Sequence, residues 1–122
     1  MKRTLFLTLL VALCALFSCK GPEKAAYAGT YLDEDTRSPF LTITPREDGR
    51  YDVEIGIYRL TTFDDAIGTV TDQGLTFTAT DGSGNPIGGV ITLEGDTATV
   101  TFTDSTWPLL ENGSAFKYTR QK

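Results

Sequence analysis

Leu75-Thr-Phe-Thr-Ala-Thr80 and Ala98-Thr-Val-Thr-Phe-Thr103 decide the fold. In both, apolar side chains alternate strictly with threonine. A period of two sends successive side chains to opposite faces of an extended strand, so the apolar set is buried and the threonines meet water. Threonine suits the wet face because its branched Cβ fits a pleated backbone while its hydroxyl stays solvated. Tyr51-Asp-Val-Glu-Ile55 repeats the pattern with acids in place of threonine. From Tyr27 onward no window carries the i, i+3, i+4, i+7 stripe of an amphipathic helix, so helix content is expected to be close to nil.

Turn signals separate the alternating runs. Glu47-Asp48-Gly49, Asp72-Gln73-Gly74, Asp81-Gly82-Ser83-Gly84, Gly95-Asp96 and Asn112-Gly113 all supply residues that tolerate a positive φ. The strands between them are expected at 29–32, 40–44, 51–60, 66–71, 75–80, 87–93, 97–103 and 114–120. The alternation slips near Gly56, ahead of Tyr58, Leu60 and Phe63, and a β-bulge at Gly56 is the expected cause. Short strands joined by tight turns make consecutive antiparallel hairpins. The fold class is therefore all-β, a single antiparallel up-and-down barrel or barrel-like sandwich of about eight strands. Closure removes the exposed edges that a flat meander would leave. Tyr31, Leu41, Ile43, Tyr51, Val53, Ile55, Leu75, Phe77, Ile91, Leu93, Val100, Phe102, Phe116 and Tyr118 are expected to form the core.

The N-terminus reads differently. Lys2 and Arg3 precede an apolar run from Leu5 to Phe17, which ends in Leu16-Phe17-Ser18-Cys19. The apolar stretch is shorter than the ~20 residues a membrane-crossing helix needs. A charged start, a short apolar run and a small residue before the cut describe a secretory signal. The segment resembles a bacterial lipoprotein signal with its lipobox, which implies removal of residues 1–18 and acylation of Cys19. Residues 19–26, Cys-Lys-Gly-Pro-Glu-Lys-Ala-Ala, lack periodicity and read as a tether, leaving 27–122 as the barrel domain. Lys20 follows the cysteine where aspartate would favour retention at the inner membrane. The expected address is the outer membrane, held by the lipid and facing the periplasm rather than the cell exterior.

Gly29-Thr30-Tyr31 is similar to the Gly-x-aromatic start of lipocalin-type barrels. With the lipobox, Gly84-Asn-Pro-Ile-Gly-Gly89 and Thr97-Ala-Thr-Val-Thr-Phe102, the chain resembles the small β-barrel lipoproteins of Bacteroidota envelopes. That resemblance implies a fold and an address but no activity.

Composition excludes much chemistry. Cys14 lies in the signal and Cys19 is consumed by lipid, so the mature domain has no thiol; the chain contains no histidine. A Ser-His-Asp triad, an imidazole base and a cysteine nucleophile are therefore unavailable. Losing Lys2 and Arg3 leaves 9 basic against 16 acidic side chains, a formal charge of −7, which disfavours nucleic acid. Asp33-Glu34-Asp35 and Asp64-Asp65 are read as solvated acidic loops, because adjacent residues point apart. Asp81-Gly-Ser-Gly-Asn85 places oxygens like the start of an EF-hand loop. Pro86 replaces the required glycine and Thr92 the terminal glutamate, so a hairpin loop is expected. Asp52 and Glu54 fall on the wet face of their strand. No catalytic residue, cofactor or metal is expected.

Thr106-Trp-Pro-Leu-Leu110 is the anomalous stretch, with large apolar residues in a connection that Pro108 bars from an interior strand. Trp107 and Leu109 are expected to fold over one barrel end as a plug. The functional alternative is a binding surface of Trp107, Leu109, Leu110 and Tyr58 that meets an envelope protein or a small apolar ligand. Thr97 and Ser105 each follow an aspartate in Asp-(Ser/Thr)-x triplets resembling Bacteroidota O-glycosylation acceptors. The expected function is a lipid-anchored, non-enzymatic binding or accessory module. A structural spacer without a specific ligand, or an inhibitor of a secreted enzyme using the 81–86 loop, are the alternatives.

Overall fold

A computed structural model describes residues 26–37 and 39–122. Cys14, Cys19 and the tether as far as residue 25 lie outside the described residues. The eight strands are β1 (Gly29–Asp33), β2 (Pro39–Pro45), β3 (Tyr51–Ile57), β4 (Thr61–Thr71), β5 (Gly74–Thr80), β6 (Pro86–Glu94), β7 (Thr97–Asp104) and β8 (Ala115–Arg120). Each pairs antiparallel with the next, and β1 pairs with β8, so the sheet closes in the order β1 to β8. Closure rests on Tyr31↔Arg120, Leu32↔Thr119 and Asp33↔Tyr118. The Gln121 amide extends it by donating to the Thr30 carbonyl at 2.9 Å.

The alternation fills the interior as the sequence implies. Nineteen apolar residues among those described are buried, all at 7% exposure or less. Phe102 lies at the centre of a ring cluster, with Phe63 and Phe77 at 5.6 Å and Phe116 at 6.2 Å between centroids. Burying one such side chain contributes about 1.5–3 kcal/mol, whereas an exposed ion pair contributes about 0–1 kcal/mol. The interior, not the surface charge, therefore holds the barrel together. Tyr118 reaches from β8 across the interior and donates its hydroxyl to the Gly56 carbonyl of β3 at 2.9 Å. That bond ties two strands that are not neighbours in the sheet.

Several expectations are corrected in detail. The strand expected at 51–60 ends at Ile57, because Tyr58-Arg59-Leu60 forms the turn into β4, with the Leu60 amide donating to the Ile57 carbonyl at 2.9 Å. The bulge is not at Gly56, which pairs regularly with Thr62. It lies on β4, where Asp64 and Asp65 together face Glu54, between the pairs Val53↔Ala66 and Ile55↔Phe63. Phe40 on β2 and Thr103 on β7 are extra residues at two further register shifts. Leu93 and Phe116 are half-buried against the core rather than inside it, while Ile57, Phe63, Ala66, Ala79, Ile87, Ala98 and Leu110 join it.

Antiparallel order gives the barrel two unlike ends. The chain reaches β1 and leaves β8 at one end, the terminal end, where the connections 46–50, 72–73 and 95–96 are short. The opposite, loop end carries 34–37, 58–60, 81–85 and the ten-residue connection 105–114.

Two outcomes test this packing. A Cβ at Gly89 would lie 2.1 Å from the Thr101 carbonyl oxygen and 3.0 Å from the Phe77 ring, with no flexible tip to move aside. Gly89→Ala is expected to lower unfolding free energy by about 3 kcal/mol or more in urea denaturation. Burial pushes the Tyr118 phenol well above its ordinary value, and the Asp33 carboxylate adds to the shift. Above pH ~10 the unfolded chain sheds this proton and the native barrel keeps it, so stability falls as pH rises. In an alkaline absorbance titration, Tyr118 ionisation should appear only together with unfolding.

Candidate functional site at the loop end

The longest connection is an ordered loop, held by its own side chains. The Ser105 amide donates to Asn112 Oδ1 at 2.7 Å, and its hydroxyl donates to the Leu110 carbonyl at 2.6 Å. The same hydroxyl accepts the Trp107 amide at 3.2 Å, and the Leu110 amide donates to the Trp107 carbonyl at 3.0 Å. Leu110 is thereby turned into the core, with 2% exposure. This corrects its assignment to a binding surface: the plug is Leu110, not Leu109. Trp107 packs half-buried against the core, and Leu109 stands out at 66% exposure.

Trp107 also braces the neighbouring hairpin. A Cβ at Gly82 would lie 2.7 Å from the Trp107 indole, so the ring rests directly on the backbone of the 81–85 loop. That loop is built on Asp81, only 6% exposed. Its Oδ1 accepts the amides of Ser83 at 2.8 Å and Asn85 at 2.9 Å, while the Asp81 amide donates to the Asn85 carbonyl at 2.8 Å. These bonds explain why the segment is a hairpin despite its EF-hand-like spacing. Asp81 Oδ2 is buried without a hydrogen-bond partner among the described residues.

Tyr58 lies on the β3–β4 turn, 52% exposed, four strands round the barrel from the Trp107 loop. The structure therefore does not join Tyr58 to Trp107 and Leu109 in one patch. Its ring stacks on Phe40 at 6.4 Å, and the Arg59 guanidinium sits 5.2 Å over it. Sequence reasoning missed Phe40 as a surface residue. Its outward direction follows from alternation with the buried Leu41 and Ile43, whereas its stacking on Tyr58 has no sequence signal.

Of the proposed glycan acceptors, Thr97 is half-buried at the start of β7, at the terminal end. The Ser105 hydroxyl is the fastener of the long loop, and glycosylation would remove its donated bond to Leu110.

Charge divides the two ends. Among the described residues, the ion pairs Arg46–Asp48, Arg46–Asp52, Arg50–Asp48, Arg120–Asp96 and Lys122–Asp96 all sit at the terminal end. There the Arg50 side chain, and then its backbone amide, hold the Asp48 carboxyl down to about 2. At the loop end Glu34, Asp35, Asp104 and Glu111 are exposed and enter none of these pairs. Among the described residues, no three potential ligands gather closely enough to hold a metal ion.

Removing the Asp81 carboxylate breaks two charge-assisted bonds and leaves the Ser83 and Asn85 amides unpaired. Asp81→Ala is expected to lower stability by about 1–3 kcal/mol, whereas Leu109→Ala should change it by less than ~0.5 kcal/mol in the same denaturation experiment. Comparison with protein-family models, with curated proteins and with solved structures returns no match.

Proposed function

We propose that this chain is a lipid-anchored, non-enzymatic binding or accessory module of the bacterial envelope, which meets its partner through the loop end of the barrel. The observation that carries the reading is Leu109. A large apolar side chain, 66% exposed, stands on a loop pinned by Ser105, Asn112 and the buried Leu110. A rigid apolar outcrop loses little conformational freedom on docking, which favours a specific contact.

The placement of the ends supports the same reading. The tether joins β1 at the terminal end, so a lipid on Cys19 anchors that end and leaves the long loops pointing away from the membrane. The barrel interior is lined by Tyr31, Phe63, Phe77, Phe102 and Tyr118, all at 2% exposure or less. Such filling supports a protein partner over a small ligand carried inside. The outer-membrane address rests on the lipobox and Lys20, and the absence of histidine and mature thiols supports binding rather than catalysis.

A photo-crosslinking residue placed at position 109, in the anchored protein within intact envelopes, tests the reading. A discrete protein adduct is expected from position 109 and not from exposed position 72 at the terminal end. Identical adducts from both positions, or lipid adducts alone from position 109, would sink it.

A further inference from the structure

The outer wall of the barrel beside Tyr58 carries a second surface. Phe40 alternates with the buried Leu41 and so stands half-buried on the outer face of β2, where Gly56 leaves room for its ring. A Cβ at Gly56 would lie 3.3 Å from Phe40 Cγ, so the ring rests against bare backbone. Tyr58 extends this ledge by stacking on Phe40 with an interplanar angle of 27°. Two open depressions share Glu54, and one of them reaches the Phe40 ring. Phe40, Gly56 and Thr62 line one with Glu54, while Asp52 and Asp64 help line the other.

The charges around the ledge select its occupant. Asp52 is engaged by Arg46 at 2.8 Å. Glu54 and Asp64, both exposed, enter no ion pair among the described residues, and the β4 bulge seats Asp64 opposite Glu54. Like charges held across a groove create a field that attracts a cation. Because no three ligands gather closely enough for a metal ion among the described residues, a cation on a long apolar stem fits better. Lysine and arginine have that form, with a stem for the rings and a charged head for the carboxylates. Arg59 already shows the ring chemistry, its guanidinium 5.2 Å from the Tyr58 centroid.

We propose that the Phe40–Tyr58 ledge on the β2–β3–β4 wall docks a basic protein segment, whose lysine or arginine stem lies on the rings and whose charge faces Glu54 and Asp64. This site stands apart from the Leu109 contact, and either can fail without the other.

The test is a titration of the isotope-labelled full chain, in detergent, with the blocked peptide Arg-Leu-Arg-Leu-Arg and with its glutamine-for-arginine counterpart. Amide shifts from the arginine peptide should centre on Phe40, Glu54, Gly56, Tyr58, Thr62 and Asp64, and weaken with salt. The double variant Glu54→Gln, Asp64→Asn and the single variant Tyr58→Ala should each bind about fivefold more weakly, with Leu109→Asp binding like the parent. Their own spectra report whether each variant is folded. Equal binding of the glutamine peptide, shifts spread evenly over Glu34, Asp35 and Glu111, or an unchanged double variant would overturn the proposal. So would a neutral oligosaccharide that shifts the same amides more tightly than the arginine peptide.

Discussion

The pairing of β1 with β8 is the constraint from which the rest follows. Three residue pairs close the sheet, and closure turns a two-sided meander into an inside and an outside. Once the wall is complete, the interior volume is set by strand number and tilt, and side chains must share it. Phe102 can meet three other rings because Gly89, its cross-strand partner, contributes no side chain. Tyr118 then braces the wall from within, joining β8 to β3 through a bond that no pairing of adjacent strands supplies. Each of these contacts presupposes a closed ring.

Most of this was legible in the residues. Alternation and turn residues together located eight strands, although β4 begins at Thr61, five residues before its expected start at Ala66. What they missed has identifiable causes. Arg59 takes a φ of 64° in the turn after β3, a place where glycine or asparagine is the usual sign, so the sequence hides that the strand ends at Ile57. The bulge at Asp64-Asp65 lies where two polar residues in succession resemble an ordinary loop, while Gly56 offers the more visible but mistaken sign of a slip. The burial of Leu110 is not legible in the sequence, because a side chain in a connection obeys no period. Its burial depends on Ser105, five residues earlier in the chain. The division of charge between the barrel ends was equally hidden, because it emerges only once alternate connections are assigned to alternate ends.

The two ends express different physics. At the terminal end, ion pairs cluster around short turns, and the Arg120 guanidinium bonds the carbonyls of Ala26 and Ala28 while lying 4.9 Å over the Tyr31 ring. The arriving chain is thus fixed before it becomes β1. At the loop end, apolar contacts replace ion pairs: Trp107 rests on Gly82, Leu110 enters the core, and Asp81 organises its hairpin from a buried position. The two poles of the barrel thus differ in kind, and the core between them holds their separation fixed.

Arg120 and Gln121 have one more consequence. They bring the last strand's end against the first strand's beginning, the Gln121 amide donating to Thr30 at 2.9 Å. Adjacent strands lie only about 4.8 Å apart, so a linker of a few residues spans the gap. The wall has no intrinsic first strand: a circular permutant opened at the exposed Asn112-Gly113 would keep all eight pairings while moving both termini to the opposite pole. The order in which the strands are synthesised is in that sense separable from the ring they build.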